Sequence, residues 1–380
     1  MTGATLTIRP SACKRGPASS AIWNESVQDD ISAGSAAGQK IHHEDIEVGK
    51  PIAFGNKLLT KEEIIAFGRA FDPQPMHTDE EAAKAAPVGG LCASGWHTCA
   101  LMMRMVCDGP LKNTAGLGSP GVDEVRWTRP VRPGTLLSCR HVVTEKRDLA
   151  SKPDVGLARI TIELVDGNGE VLCWWHTNQL TRRRTPGPPP AAPSGPKPAR
   201  PKLVSLWDVD GPEMDPSKGM HFEDRPIGEI TDLGSHTFGR EEIIAFARDF
   251  DPQPFHLDEA AAKTSLFGGL CASGWHTAAI FIRELITYRK FTRTTALAPG
   301  AHQPVYGPSP GFRDLRWPKP VFVGDTIEFR ARIADKIDMK SRPSRGILVN
   351  EVHGRNQHGD IVFAVMSQIL VDRREPYRAA

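Results

Sequence analysis

One short stretch with the residues for acid–base chemistry occurs twice in the sequence. It is Asp-Pro-Gln-Pro-Met-His at residues 72–77 and Asp-Pro-Gln-Pro-Phe-His at residues 251–256. In each copy a carboxylate and an imidazole stand five residues apart, and two prolines between them restrict φ and remove backbone donors. Because the residue before a proline favours extended geometry, the spacing predicts a stiff, irregular segment. Such a segment could hold an acid and a base for proton transfer.

The repeat extends well beyond this motif. Residues 62–98 and 241–277 are identical at 28 of 37 positions, and both copies keep the aspartate and the histidine. A single copy would be about equally compatible with a turn-capping aspartate and a packed histidine. Two intact copies favour function, so we expect Asp72 with His77 and Asp251 with His256 to be catalytic.

The flanking sequence predicts how these residues are positioned. Thr60 and Glu63 have the spacing of a capping box, which predicts a helix that must stop before Pro73. Asp72 therefore falls at the C-terminal edge of that helix. After each histidine, Asp79 and its counterpart Asp258 are predicted to cap short alanine-rich helices.

A glycine-rich run follows in both copies. Residues 89–98 and 268–277 are identical, and each run leads into an apolar helical segment. Backbone amides at such a helix start could bind an oxyanion, and close packing of glycines is the alternative interpretation. We interpret the cysteines and histidines of the runs as buried or packing residues rather than as nucleophiles or bases. They are Cys92, Cys271, His97 and His276.

Alternating patterns after each helical region predict antiparallel strands, so the fold class is α+β. The predicted strands are residues 136–146, 155–164, 170–180, 326–336, 347–354 and 360–371. The predicted organisation is an extension (1–40), a first domain (41–184), a proline-rich linker (185–202) and a second domain (203–380). The second half carries 11 extra residues after the helix that starts at Gly274. We favour a solvated loop over a phosphate-binding segment for its basic part, residues 288–293.

Composition excludes several classes of protein. A net charge of +2 with scattered basic residues does not indicate nucleic-acid binding. Seven cysteines without a Cys-x-x-Cys pair indicate reduced thiols. No apolar run approaches the ~20 residues of a membrane span, so we expect a cytoplasmic protein with no membrane partner.

Each half resembles the MaoC-like, (R)-specific enoyl-CoA hydratase family, whose motif is Asp-x-Asn-Pro-Ile/Leu-His-x-Asp. Residues 72–79 and 251–258 match it except for glutamine at the Asn position and Met76 and Phe255 at the apolar one. The resemblance covers about residues 42–182 and 221–373. It implies two tandem hot-dog domains that pair within one chain, each a helix wrapped by an antiparallel sheet. Further homodimerisation remains open.

The resemblance also implies an activity. Family members are hydro-lyases of acyl-CoA and fatty acid metabolism that add water reversibly to trans-2-enoyl-CoA, giving (R)-3-hydroxyacyl-CoA. The substrate would be an acyl-CoA, and no cofactor or metal is expected. Asp72, His77, Asp251 and His256 would hold the water.

Substrate binding is expected at the helix starts. There the glycine amides would polarise the thioester carbonyl, and the indoles either narrow the acyl pocket or pack in the core. The predicted residues are Ser94, Gly95, Trp96, Ser273, Gly274 and Trp275.

Three other functions stay open. A metal site formed by His77, Asp79 and His97 offers suitable ligand types without a recognised spacing. A hot-dog acyl-CoA thioesterase would use a carboxylate on the central helix, and residues 93–106 and 272–283 contain none. A non-catalytic protein that binds acyl thioesters would be expected to have lost Asp or His in one half. Both halves keep both residues.

Overall fold

The structure, a computed structural model, describes residues 40–149, 152–187, 203–215, 217 and 219–378. The predicted extension and most of the predicted linker lie outside these residues. The strands are β1 (Pro51–Leu58), β2 (Gly116–Gly118), β3 (Gly121–Trp127), β4 (Leu136–Leu149), β5 (Lys152–Val165), β6 (Val171–Arg182), β7 (Ile230–Thr237), β8 (Gly311–Arg316), β9 (Thr326–Asp338), β10 (Arg345–Asn356) and β11 (Ile361–Asp372).

The helices follow the repeat. They are α1 (Lys61–Phe71), α2 (Pro75–Thr78), α3 (Glu80–Lys84) and α4 (Gly95–Asp108) in the first half, and α5 (Arg240–Phe250), α6 (Pro254–Leu257), α7 (Glu259–Lys263) and α8 (Gly274–Phe291) in the second. None of the helices in the described part of the chain has both the length and the hydropathy of a membrane span.

The α+β class and the six predicted strands are confirmed, with ends within a few residues of those expected. Five strands were not predicted: the edge strands β1 and β7, and the shorter strands β2, β3 and β8. In β1 the side chain of Phe54 is the one that is buried, so the strand lacks a strong apolar alternation. A bulge at Gly55, with φ of 81°, disturbs the pattern further.

All strands form one antiparallel sheet that runs through both halves. Its order is β1-β4-β5-β6-β3-β8-β11-β10-β9-β7, with β2 added beside β6. The halves meet where β3 pairs with β8, with Val125 opposite Phe312. Each half thereby covers what would otherwise be an open sheet edge, as the expected pairing within the chain requires.

The buried helices α4 and α8 lie inside this sheet and contact each other. Each also contacts the first helix of the opposite half, α8 with α1 and α4 with α5. One hydrophobic core therefore spans both halves. Each repeated motif lies next to the central helix of the other half.

Candidate active site

Local sequence places Asp72 at the end of α1. Thr60 and Glu63 form the predicted capping box, with Thr60 Oγ1 accepting from the Glu63 amide at 3.2 Å. Asp72 is the C-cap, with φ −142° and ψ 69°, because Pro73 cannot continue the helix. Asp72 is buried.

The segment after Asp72 is more regular than the prolines predicted. Residues Pro75–Thr78 form one helical turn, α2, that includes His77. The prediction of an irregular segment was wrong here because proline suits the first position of a helix, where its missing N–H is not needed. Asp79 then caps α3 as predicted, accepting from the Ala82 amide at 2.8 Å.

The structure brings Asp72 and His77 together in a buried site. His77 Nε2 lies 3.6 Å from Asp72 Oδ2. The Ser94 hydroxyl donates to the same Oδ2 at 2.6 Å, and the Gln74 amide donates to Oδ1 at 2.8 Å. Sequence analysis gave Gln74 no role, although its repetition as Gln253 was a usable signal.

A backbone carbonyl sets the tautomer of His77. Its Nδ1 lies 2.8 Å from the carbonyl oxygen of Cys92. Because a carbonyl can only accept, Nδ1 carries a proton, and with that single proton on the ring Nε2 is an acceptor. Two acceptor atoms, His77 Nε2 and Asp72 Oδ2, therefore face each other.

The second half repeats this geometry closely. His256 Nε2 lies 3.6 Å from Asp251 Oδ2, and His256 Nδ1 lies 2.8 Å from the Cys271 carbonyl oxygen. The Ser273 hydroxyl donates to Asp251 Oδ2 at 2.6 Å, and Gln253 donates to Oδ1 at 2.9 Å. Both sites thus present the same pair of acceptors.

The start of α4 adjoins the first pair. Ser94 is the N-cap, and its hydroxyl accepts from the Trp96 amide at 3.2 Å while it donates to Asp72. The Gly95 amide has no acceptor among the described residues. An unpaired amide at a helix N-terminus is suited to a developing oxyanion.

Close packing also requires glycine at this position. A Cβ on Gly95 would lie 2.4 Å from Trp127 Cε2, and Gly274 stands in the same relation to Trp317. The two interpretations of the glycine-rich run are therefore compatible: the absence of a side chain admits the indole, and the amide has no acceptor among the described residues.

The two indoles after these glycines occupy different surroundings. Trp96 stacks on Phe312 at a centroid distance of 4.6 Å, within the interface of the halves. Trp275 stacks on Trp175 at 5.0 Å and lines a cavity of about 600 Å³, counting its open mouth. Both indoles are buried in the core, but Trp96 does not line this cavity. The pocket interpretation therefore has geometric support for Trp275.

The thiols of the glycine-rich runs are protonated. Burial raises the pKa of Cys92 to about 11 and that of Cys271 to about 12. A further thiol, Cys107 on α4, lies 3.4 Å from Asp251 Oδ1. Burial and the neighbouring carboxylate raise its pKa well above the ordinary range.

Sequence comparison identifies the family. The family model described as "MaoC like domain" matches residues 38–163 and 216–355, well over half of the chain. This protein belongs to the MaoC-like family.

This MaoC-like chain is similar in sequence to a known protein and in fold to several solved structures. The uncharacterized protein YdeM of Bacillus subtilis is 27% identical over 154 residues, which is 40% of this chain and 100% of YdeM. The putative MaoC domain protein dehydratase of Chloroflexus aurantiacus superposes with a TM-score of 0.69 at 17% identity, covering 90% of this chain and 100% of that one. A conserved Mycobacterium tuberculosis protein with a double hot-dog fold gives 0.61 at 15% identity, covering 87% and 98%. The double hot-dog fold is thereby confirmed.

This MaoC-like protein contains a buried histidine beside each site. His97 stacks on Phe67 at a centroid distance of 4.4 Å, and His276 stacks on Phe246 at 4.6 Å. Desolvation lowers the pKa of each imidazole to about 3. Both rings are therefore neutral packing groups.

We expect these two histidines to make folding stability depend on pH. Their ordinary pKa is 6.5, so the unfolded chain takes up their protons first and stability falls as the pH drops from about 6.5 toward 3. The slope should be about 1.4 kcal/mol per pH unit for each histidine. Urea unfolding at pH 7, 6 and 5 should show a steep loss that His97→Phe with His276→Phe flattens. If the free energy of unfolding falls equally with pH in the wild type and in the double variant, the two histidines are not the cause of the pH dependence.

One group of residues in the described part of the MaoC-like chain could hold a metal ion. Ligand atoms of His221, His302 and Asp372 lie within 4.8 Å of one another. None of the three belongs to either Asp–His pair. The combination of His77, Asp79 and His97 does not form such a group among the described residues.

Proposed function

We propose that this protein adds water reversibly across the double bond of a trans-2-enoyl-CoA, giving the (R)-3-hydroxyacyl-CoA, at both Asp–His pairs. The observation that carries the proposal is the repeated arrangement of two facing acceptors beside an unpaired helix-start amide. Membership of a family of MaoC-like dehydratase domains supports the general class of hydratase or dehydratase. The acyl-CoA substrate, the (R) configuration and a cytoplasmic location belong to the proposal.

The two acceptors suit a bound water molecule. Water has two O–H groups, so it can donate one to Asp72 Oδ2 and one to His77 Nε2, which lie 3.6 Å apart. Its oxygen is then free to attack C3 of the enoyl group. The attack forms the C3–O bond, and the Asp–His pair takes the proton of the broken O–H bond.

The electron pair of the double bond moves toward C2 and the thioester carbonyl. The Gly95 amide at the α4 N-terminus can donate to the resulting enolate oxygen, and the helix dipole favours negative charge there. C2 then takes a proton from the Asp–His pair. One water is consumed, and the pair returns to its starting protonation.

Neither central helix places a carboxylate beside its helix-start glycine. In α8 the acidic residue is Glu284, ten residues after Gly274, where it pairs with Arg283 at 3.3 Å and lies against β7 at Gly234. The acidic residue of α4 is Asp108, at the last position, where it is exposed and pairs with Arg104 at 2.7 Å. No carboxylate from α4 is therefore placed to attack or activate water at a thioester near Gly95.

Incubation with crotonyl-CoA tests the proposal directly. We expect the enoyl absorbance to fall without release of free thiol, and chiral analysis to give the (R)-3-hydroxy product. Stoichiometric thiol release would instead indicate a thioesterase. Saturable binding with no change in the thioester would indicate a binding protein.

A further inference from the structure

Each half contains a cavity beside its central helix. The N-terminal cavity is lined by side chains of the first half, including Val106, Ile160 and Ile162, together with Gln253 and Trp275 of the second half. Gln253 donates to Asp251. This largely apolar cavity therefore belongs to the Asp251–His256 site.

The C-terminal cavity, of about 500 Å³ counting its open mouth, is lined by second-half residues, mainly of α8 and the sheet. Because α8 contacts α1, which ends at Asp72, and because the repeat places Asp251 beside the N-terminal cavity, we assign this cavity to the Asp72–His77 site. The two cavities differ in charge: the C-terminal one is lined by two arginines, whereas no Arg, Lys, Asp or Glu lines the N-terminal one. The polar side chains of the C-terminal cavity are Arg225, Thr231, Tyr288, Arg289, Tyr306, Asn350 and Ser367, and those of the N-terminal cavity are Ser119, His141, Thr177, Gln179 and Gln253.

Equivalent positions show how the difference arose. Ile160 pairs with Thr177 in the first half, and Asn350 pairs with Ser367 in the second, so an amide replaces an isoleucine. Counted from the two helix starts, Arg289 stands where the first half has Pro110.

An extension of the central helix places Arg289. The helix α4 ends at Asp108, whereas α8 continues four residues beyond the equivalent position to Phe291. Tyr288 and Arg289 lie in this extension and line the cavity. The solvated loop favoured from the sequence is therefore wrong for these two residues, because helix formation turns them toward the cavity.

Arg289 is a partly buried cation without an anion. Its guanidinium lies over the Tyr306 ring at 4.1 Å, and it has no ion pair or hydrogen bond with a side chain or carbonyl among the described residues. Arg225 in the same cavity is by contrast bonded to Glu229 at 2.9 Å. Burial lowers the pKa of Arg289, and the charges of Tyr306 and Asp72 act in the opposite direction.

A partly buried guanidinium without an ion pair is suited to bind a planar oxyanion. Its parallel N–H groups match a carboxylate in bidentate geometry, and leaving it desolvated and unpaired is unfavourable. A cavity of about 500 Å³ with Arg289 in its lining admits such an anion at the end of a short chain.

We propose that the Asp72–His77 site accepts a short enoyl thioester whose acyl group ends in a carboxylate bound by Arg289, whereas the Asp251–His256 site accepts an uncharged acyl chain. The inference rests on the proposed hydration. It makes the chain a two-site enzyme with divided specificity.

Two substrates of equal length separate the sites: trans-hex-2-enedioyl-CoA, with a terminal carboxylate, and trans-hex-2-enoyl-CoA. We expect Asp251→Asn to keep hydration of the first and lose that of the second, and Asp72→Asn to do the reverse. If the wild-type protein hydrates neither thioester, the proposed hydration itself fails. If Asp251→Asn abolishes hydration of both, Arg289 closes the first site and the divided specificity is refuted while hydration stands.

Substitution of the arginine tests its role. Arg289→Met should lower the ratio of kcat/KM for the hexenedioyl over the hexenoyl thioester about 10- to 100-fold, because a charge-assisted contact is lost. Arg289→Lys should recover part of the ratio. Arg293→Met, which changes an exposed arginine four residues on, is the matched control and should leave the ratio unchanged.

A phosphate of CoA is the other anion that Arg289 could meet. The N-acetylcysteamine thioesters of both acyl groups carry no phosphate and separate the two sources. If Arg289→Met lowers kcat/KM equally for both CoA thioesters and leaves it unchanged for both N-acetylcysteamine thioesters, the arginine binds phosphate and the proposal is overturned. If the substitution lowers kcat/KM for the hexenedioyl group alone, in the CoA series and in the N-acetylcysteamine series, the result supports the proposal.

Discussion

Hydration of enoyl-CoA should fall about 10²- to 10⁴-fold in kcat when Asp72→Asn and Asp251→Asn are combined, since acid–base groups contribute by that factor. Asparagine keeps the size of the side chain and can still accept from the serine hydroxyl. It loses the negative charge and one of the two acceptor oxygens. Each single variant keeps one intact pair and therefore the turnover of the substrate that this site accepts.

The same segments offer a matched control. Asp79 and Asp258 cap α3 and α7 by accepting from the amides of Ala82 and Ala261. Neither aspartate belongs to an Asp–His pair. Asparagine caps a helix about as well as aspartate, so Asp79→Asn with Asp258→Asn should leave kcat close to that of the wild type. Circular dichroism should show that both double variants are folded. An unchanged kcat in the Asp72 and Asp251 double variant would remove these residues from the chemistry.

The largest expected loss of stability comes from Glu229→Ala, which should lower the free energy of unfolding by about 3–5 kcal/mol. Arg225 is 7% exposed and Glu229 is 1% exposed, and Arg225 Nε lies 3.0 Å and 2.9 Å from the two carboxylate oxygens. Burial alone would lower the pKa of Arg225, but the bonds to Glu229 raise it on balance. Removing Glu229 therefore leaves a buried charge without its partner.

Two further variants separate the cost of an unpaired charge from loss of packing. Glu259→Ala removes the partner of Arg240 in an exposed pair at 2.7 Å and should have a much smaller effect. Arg225→Met combined with Glu229→Leu removes both charges and should recover most of the stability. Urea unfolding gives all three values. A loss for Glu229→Ala no larger than that for Glu259→Ala would contradict the interpretation.

Duplication within one chain explains how the sites could diverge. A homodimer of single-domain subunits has two identical cavities, because one sequence forms both. Here the Asp251–His256 pair lies beside the cavity of the first half, and we assign the Asp72–His77 pair to that of the second. The cavities differ at Pro110 and Arg289 and at Ile160 and Asn350. Identical acid–base residues can therefore serve different acyl groups.

The sequence by itself determined the features that depend on a few neighbouring residues. The capping box at Thr60, the stop before Pro73 and the cap at Asp79 follow from backbone donors and fixed φ. Alternation identified the long strands because a strand with one buried face repeats every second residue. The repeat and its motif pointed to both Asp–His pairs.

Tertiary structure decided everything that joins distant segments. The Ser94 hydroxyl reaches Asp72 across 22 residues, and β3 meets β8 from the other half. No local pattern indicates which cavity serves which Asp–His pair, because the assignment depends on how α8 packs against α1 and α4 against α5. Arg289 was visible as a basic residue in an insertion. Only the extension of α8 placed its charge in the cavity that we assign to the Asp72–His77 site, because the direction of a side chain is set by the helix that carries it.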